Sequence, residues 1–227
     1  MKRSGDLDYA MARIAARFGE RPVEATWRAL AVIRELQALL DAARQPPFRR
    51  WTAGLAPDAD AHAIEATLRA NGRALAAEVR LWMPARWQPA VDWACTLADL
   101  PVAHYLAQGG APLHWMHDDA TYRDLARAAV VAPAHPAAVL RAWGDEWWRR
   151  VPERTAALRD LARTAKAHRG ADADRHSLVA RLELLYRRAP VDPAAAFVFL
   201  ALSALDMERL RGELLRRLVF ARLRIAA

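Results

Sequence analysis

The sequence contains one cysteine, two lysines, three serines and nine glycines among its 227 residues, and each shortage excludes a class of structure or chemistry. The lone cysteine, Cys95, cannot form an internal disulfide, which favours a reducing compartment. The scarce glycines form neither a GxGxxG nor a GxxxxGK[ST] loop, so the usual phosphate-binding loops are missing. No serine lies in a GxSxG nucleophile elbow, and the first residues lack the apolar core of a signal peptide. We therefore predict no catalytic residue, no cofactor and no metal.

The residues that are abundant favour helices. Apolar residues make up 54% of the chain and charged residues 26%, which is typical of a globular protein. Alanine, leucine, arginine and glutamate dominate, and all four are strong helix formers. No stretch alternates apolar and polar residues as a half-buried strand would. The sequence therefore predicts an all-α protein built as a multi-helix bundle.

The apolar periodicity, with proline, glycine and aspartate as start and stop signals, predicts the positions of the helices. We expect a weak point in the third helix at Asn71-Gly72 and a kink in the fourth at Pro101. Gly109-Gly110 is the best boundary between an N-terminal helical subdomain, 1–110, and a C-terminal one, 111–227, unless the two form one continuous domain. The predicted helices span 6–18, 22–44, 58–83, 90–108, 118–131, 136–150, 152–168, 174–189 and 193–224.

The last predicted helix is apolar in its first half and basic in its second. Its apolar part, 193–205, is shorter than the ~20 residues that span a bilayer, so we expect no membrane span. Six arginines and two acidic residues in 207–224 give that segment a net charge of +4, half of the chain's +8. An arginine-rich surface is often merely solvated, but it also fits an acidic partner: a protein, a lipid headgroup or a nucleic acid. We predict that partner binding uses the six tail arginines, namely Arg209, Arg211, Arg216, Arg217, Arg222 and Arg224.

Other kinds of chemistry are also compatible with the sequence. His114 and His117 could share one face of a helical turn and bind a metal with Asp118, which would make the chain a metal-dependent enzyme. Alternatively, Asp118 or Asp119 caps the next helix. Asp145-Glu146, between tryptophans, could be an acid/base pair in an apolar pocket, or could pair with nearby arginines. The nine tryptophans and the positive charge also allow a basic helical nucleic-acid-binding protein, although their spacing is that of core residues.

Three stretches together resemble the C subunit of archaeal-type and bacterial V-type ATPases, called subunit d in eukaryotes. The first, 9–17, reads YAMARIAAR and is similar to the family's Tyr-x-x-Ala-Arg-(Val/Ile) opening helix. The second begins Ile64-Glu65-Ala66-Thr67-Leu68 and ends at Pro84, like the family's Ile-Glu-x-x-Leu helix. The third is the terminal helix, where an apolar run leads into Asp206-Met207-Glu208-Arg209-Leu210-Arg211, similar to the family's Glu-Ile-Arg-Asn-Leu-Arg.

This resemblance implies a non-catalytic structural subunit with protein partners. In the family, an all-helical funnel sits on the cytoplasmic end of the proteolipid ring and receives the foot of the central stalk, so that it transmits torque and binds no cofactor. The implied function is a rotor adaptor in proton transport, cytoplasmic or peripheral on the inner face of the membrane. The implied architecture is two helical subdomains of such a funnel.

Overall fold

The computed structural model describes residues 3–99, 102, 105–106, 108–113, 116, 136–167 and 174–226. Within these residues the chain is helical and contains no strand, which confirms the predicted all-α multi-helix bundle. The helices are α1 (Arg3–Gly19), α2 (Glu24–Ala31), α3 (Leu36–Ala43), α4 (Arg49–Thr52), α5 (Ala61–Trp82), α6 (Gln88–Cys95), α7 (Pro136–Arg150), α8 (Ala156–Ala167), α9 (Arg175–Arg188) and α10 (Ala194–Ala226). Short 3₁₀ turns, Ala85–Trp87 and Thr96–Asp99, flank α6.

Helix α5 lies at the centre of the bundle and packs most extensively on α6 and α10. Its N-terminus is capped by Asp60, whose carboxylate accepts a hydrogen bond from the Ala63 amide at 2.8 Å. The helix continues without a break through Asn71-Gly72, the predicted weak point. At Gly72 an added Cβ would lie 3.1 Å from the Met207 sulfur, so the glycine allows α5 and α10 to approach closely.

Helix α10 is 33 residues long, which corresponds to about 50 Å. Its first turns, 194–199, are buried on every side, and a single buried stripe continues through Leu202, Leu210 and Leu214 to Arg217. Farther along, Val219 and Phe220 are exposed. Within the described residues, none of the helices is long and apolar enough to cross a membrane.

The predicted single helix 22–44 is wrong, because the structure has two helices there. Helix α2 ends at Ala31 and α3 begins at Leu36, with four residues between them in a non-helical connection. The carbonyl groups freed by this interruption would cost stability if they were buried without donors. The donor is the side chain of Arg217, which is described below.

The start of α8 also differs from the prediction. Pro152 was expected to open this helix, but α8 begins at Ala156. Thr155 takes the capping position, because its hydroxyl accepts a hydrogen bond from the Leu158 amide at 3.2 Å. The same hydroxyl donates to Asp192 at 3.0 Å, which fixes it next to the start of α10.

Within the fourth predicted helix, α6 ends at Cys95 and tightens into the 3₁₀ turn that ends at Asp99. Farther along the predicted span, Val102, Tyr105 and Leu106 are again helical. Pro101 and the predicted helix 118–131 lie outside the described residues. The described core contains residues from both sides of Gly109-Gly110: the Phe197 ring is 6.2 Å from the Trp87 ring and 5.2 Å from the Trp147 ring. A division into subdomains at Gly109-Gly110 stays a prediction.

Candidate functional site

Two of the six tail arginines bind the body of the protein through acidic residues on other helices. Arg209 donates to both carboxylate oxygens of Glu24, at 2.8 and 3.2 Å, and its guanidinium lies 4.6 Å above the Trp27 ring. Arg211 donates through Nε to Glu65 on α5. Both contacts connect helices that are far apart in sequence, so these arginines contribute to the fold as well as to the surface charge.

Arg217 is the most deeply buried of the four tail arginines whose side chains the structure describes, with its side chain only 5% exposed. Its guanidinium donates to the carbonyls of Ile33 at 2.8 Å, Ala31 at 2.9 Å and Leu30 at 3.4 Å. It also donates to the Glu213 carbonyl at 3.0 Å and pairs with the Glu213 carboxylate. Arg217 therefore caps the C-terminal end of α2, where the helix dipole favours a positive charge.

Arg216 is the most exposed of the four tail arginines whose side chains the structure describes. Its side chain is 52% exposed and pairs with Glu213, on its own helix, at 2.8 Å. The side chains of Arg222 and Arg224 lie outside what the structure describes. Partner binding by these six arginines stays a prediction.

A buried ionic cluster joins α5, the 3₁₀ turn after α6 and α10. Arg69 donates through Nε to Glu65 at 2.7 Å and contacts Asp99 at 3.4 Å. Arg73 lies 3.6 Å from the same Asp99 carboxylate, and Arg211 reaches Glu65 from α10. Because a buried charge that loses its partner is costly, such a cluster fixes the register of the elements that contribute to it.

A second ion pair connects the α1–α2 loop to α10. Arg21 forms a two-pronged contact with Asp206, with donor–acceptor distances of 2.8 and 3.2 Å, and both side chains are at least nine-tenths buried. Burial raises the pKa of Asp206 above its ordinary value, and the favourable interaction with Arg21 only partly offsets this effect. Sequence reasoning missed this pair, since Arg21 and Asp206 are 185 residues apart and no local pattern connects them.

The described residues contain no group of three or more histidine, cysteine, aspartate or glutamate side chains that could hold a metal ion. The predicted ligands His114, His117 and Asp118, with the alternative cap Asp119, lie outside the described part of the chain.

The remaining candidate reactive groups are held in structural contacts or face solvent. Glu146 pairs with Arg150 at 2.7 Å, whereas Asp145 is exposed, which matches the ion-pair alternative rather than a paired acid and base. Burial, reinforced by the charge of Asp92, raises the pKa of Cys95 to about 11, so the thiol is a poor nucleophile.

The tryptophans are mainly structural. None of the eight within the described residues is exposed, and five of them are fully buried: Trp27, Trp51, Trp82, Trp87 and Trp147. A base-stacking platform requires an accessible ring face. Three half-buried rings, those of Trp93, Trp143 and Trp148, lie at the junction of α6 and α7.

Next to this junction is a cleft of about 720 Å³, which we call the tryptophan cleft. Its walls come from α7, α8, α10 and the end of α6, and they include Trp143, Trp147, Trp148, Leu161 and Phe197. Sequence reasoning raised an apolar pocket between these tryptophans only as one alternative for Asp145-Glu146, because the apolar periodicity of a single helix does not reveal how closely its neighbours pack.

No protein-family model matches the sequence, and no curated protein or solved structure is significantly similar to it. The function of the chain is therefore inferred from the contacts within it and from the three stretches quoted above.

Proposed function

We propose that the chain is a non-catalytic structural or interaction subunit, most specifically a divergent V-type ATPase C/d-like rotor adaptor between the proteolipid ring and the central stalk. The observation that carries the proposal is the ion pair between Glu65 and Arg211. Glu65 belongs to the Ile-Glu-x-x-Leu stretch of α5, and Arg211 is the final arginine of the stretch in α10. Two of the three stretches that resemble the family therefore meet through residues of the matched patterns themselves.

The first stretch, 9–17 in α1, lies against the other two. Helix α1 packs against both α5 and α10, with Ala10, Met11 and Ile14 buried. The first residue of its pattern, Tyr9, is 56% exposed and so is accessible to a partner. A rigid helical body whose matched stretches form one central unit suits a subunit that transmits force instead of performing chemistry.

The buried ionic contacts also favour a stiff body. The buried ionic cluster around Glu65 and the Arg21–Asp206 pair both connect α10 to other elements of the bundle. Breaking either would leave a charge in a poorly solvated place, so α10 is held to the rest of the protein by more than apolar packing. A rotor adaptor needs this property, because torque must pass through it without loss of register.

The proposal is tested by assembly from purified parts. The chain is mixed with the proteolipid ring and the central stalk of the rotary ATPase from its own source organism, and the mass of the complex is measured. We expect one copy of the chain per ring, bound together with the stalk. The proposal would be refuted if the chain did not bind the ring, or if it did not bind the stalk.

A charge-reversal variant tests the role of the basic tail in the same assay. Arg216, Arg222 and Arg224 are changed together to glutamate, and we expect binding to weaken at least tenfold, since three favourable charges become repulsive. A matched control changes Arg159, Arg187 and Arg188 to glutamate, which alters the net charge equally on helices α8 and α9. Equal weakening by both variants would show only non-specific attraction and would contradict a contact at the tail.

A further inference from the structure

The tryptophan cleft has the size and shape of a small-molecule site. Its volume of about 720 Å³ lies within the range of ~300–1,000 Å³ that is typical of ligand pockets. Its base is formed by buried side chains, with the rings of Trp147 and Phe197 packed edge to face at 5.2 Å. The opposite side is α8, where Leu161 is buried and Ala162 is half-buried.

The aromatic wall of the cleft is fixed by contacts that do not depend on a ligand. The Trp143 indole donates to the Thr96 hydroxyl at 2.8 Å, and the Trp93 indole donates to the Trp143 carbonyl at 2.9 Å. Next to it, the Trp148 ring lies 5.7 Å from Trp147 and carries the Arg154 guanidinium 5.1 Å above its face. A wall held in this way loses little freedom on binding, which favours affinity.

The charged residues of the cleft are Arg141, Asp145 and Lys166, and all three are exposed. Neither of the two cations forms an ion pair with another described residue. Lys166 is one of the two lysines in the chain. The cleft thus combines an apolar, aromatic interior with two cations and one carboxylate, which leaves an excess of positive charge at its rim.

From this combination, we infer that the tryptophan cleft binds a small amphipathic anion, whose apolar chain or ring lies against Trp147 and Phe197 and whose acidic group is bound by Arg141 and Lys166. Apolar contact provides most of the affinity, because the walls are largely carbon. The two cations select for the sign of the ligand's charge. Asp145 disfavours a second acidic group, so a ligand with one negative charge fits best.

Binding is tested with dodecanoate on the full chain, below the concentration at which it forms micelles. Titration calorimetry and quenching of tryptophan fluorescence provide two independent readouts. Fluorescence is informative because two of the cleft's rings are only half-buried. We expect saturable binding of one dodecanoate per chain. Dodecyltrimethylammonium has the same tail with the opposite charge, and it is expected to bind at least fivefold more weakly.

Variants locate the ligand. We expect Arg141→Ala and Lys166→Ala each to weaken dodecanoate binding by up to about fivefold. The matched control is Arg163→Ala. Arg163 lies on α8, as Lys166 does, but its guanidinium pairs with Asp160. Ala201→Phe and, separately, Ala162→Phe fill the cleft from opposite walls and should abolish binding. Circular dichroism and the thermal midpoint establish that each filled variant is folded, and the cation variants provide the test if one is not.

Four results would overturn the inference. The first is no saturable binding to the folded wild-type chain, as expected if the chain's own residues fill the cleft. The second is equal binding of the anionic and cationic amphiphiles. The third is dodecanoate binding that is unchanged in a folded, filled variant or in both cation variants. The fourth is a concentration-dependent dimer that Ala201→Phe dissociates, which would assign the cleft to a second copy of the chain.

Discussion

Replacing Arg217 by methionine tests whether this tail arginine holds the junction between α2 and α3. Methionine keeps an unbranched stem but removes the hydrogen bonds to the Leu30, Ala31 and Ile33 carbonyls. A hydrogen bond to a charged group contributes about 1.5–3 kcal/mol, and a buried carbonyl without a donor costs about 1–3 kcal/mol. These effects overlap, and removing one member of a buried charged contact costs about 3–5 kcal/mol as a whole. We expect a loss of that size.

This loss would be a large part of the stability of the chain, since a typical domain is stable by about 5–15 kcal/mol. Urea unfolding followed by far-ultraviolet circular dichroism measures it. Hydrogen exchange should also become faster in peptides that span residues 24–43, where the carbonyls lose their donor. Arg217→Lys should lie between the wild type and methionine, because lysine keeps the charge but cannot reproduce the planar fork of donors.

The neighbouring residue provides a matched control. Arg216→Met removes an arginine that pairs with the same Glu213 but is half exposed, so a loss below about 1 kcal/mol is expected. If Arg216→Met and Arg217→Met lost the same amount, or if exchange at the α2–α3 junction were unchanged, the capping role would be refuted.

Three further predictions concern other described contacts. Gly212→Ala should raise the stability of the chain by about 0.5–1 kcal/mol, since nothing lies near the added methyl group. Gly72→Val should lower it by about 1–3 kcal/mol, because the valine side chain would meet Met207. Urea midpoints of the two variants that shift in the same direction would contradict these expectations. Burial alone would raise the pKa of Glu78, but hydrogen bonds from its two arginine partners lower it below the ordinary value of 4.5. The ionised Glu78 therefore stabilises the fold above that value, and this contribution is lost as the pH falls through the lower folded-state pKa. The stability difference between wild type and Glu78→Gln should disappear in acid, and a difference independent of pH would argue against the linkage. The Cys95 thiol should react with a disulfide reagent about a hundredfold more slowly in the folded chain than in urea, and equal rates would contradict its burial.

Helix ends that depend on one nearby residue could be predicted from the sequence. The predicted helix 136–150 coincides with α7, and the predicted start at Asp174 is the capping residue of α9, whose carboxylate accepts from the His176 and Ser177 amides. Helix α5 ends just before Pro84, as predicted. Capping side chains and prolines act over a few residues, so their effects can be derived from the local sequence.

The break between α2 and α3 could not be derived in this way. The apolar periodicity continues across 32–35. The donor that satisfies the freed carbonyls, Arg217, is 184 residues away from Ile33. Local sequence therefore favours one helix, and a distant side chain stabilises two.

The candidate site was predictable only as a set of arginines. In the sequence, nothing distinguishes the six tail arginines from one another. In the fold, Arg209 pairs with Glu24, 185 residues away, and Arg211 pairs with Glu65, 146 residues away. The buried Glu65–Arg69 pair has the i,i+4 spacing of an ion pair on one helix face, which a sequence can indicate. Its burial, which makes the contact important, depends on α10 and on the turn that ends at Asp99, and no local pattern reveals it.

The most direct test of the proposed function is ATP-driven proton transport in inverted membrane vesicles from cells that lack the chain. The account predicts that ATP hydrolysis by the catalytic sector persists while proton transport is lost. Adding the purified chain should restore transport, and adding the chain with Arg216, Arg222 and Arg224 changed to glutamate should not. Vesicles without the chain that pump protons as fast, per ATP hydrolysed, as vesicles with it would contradict the proposed role as a rotor adaptor.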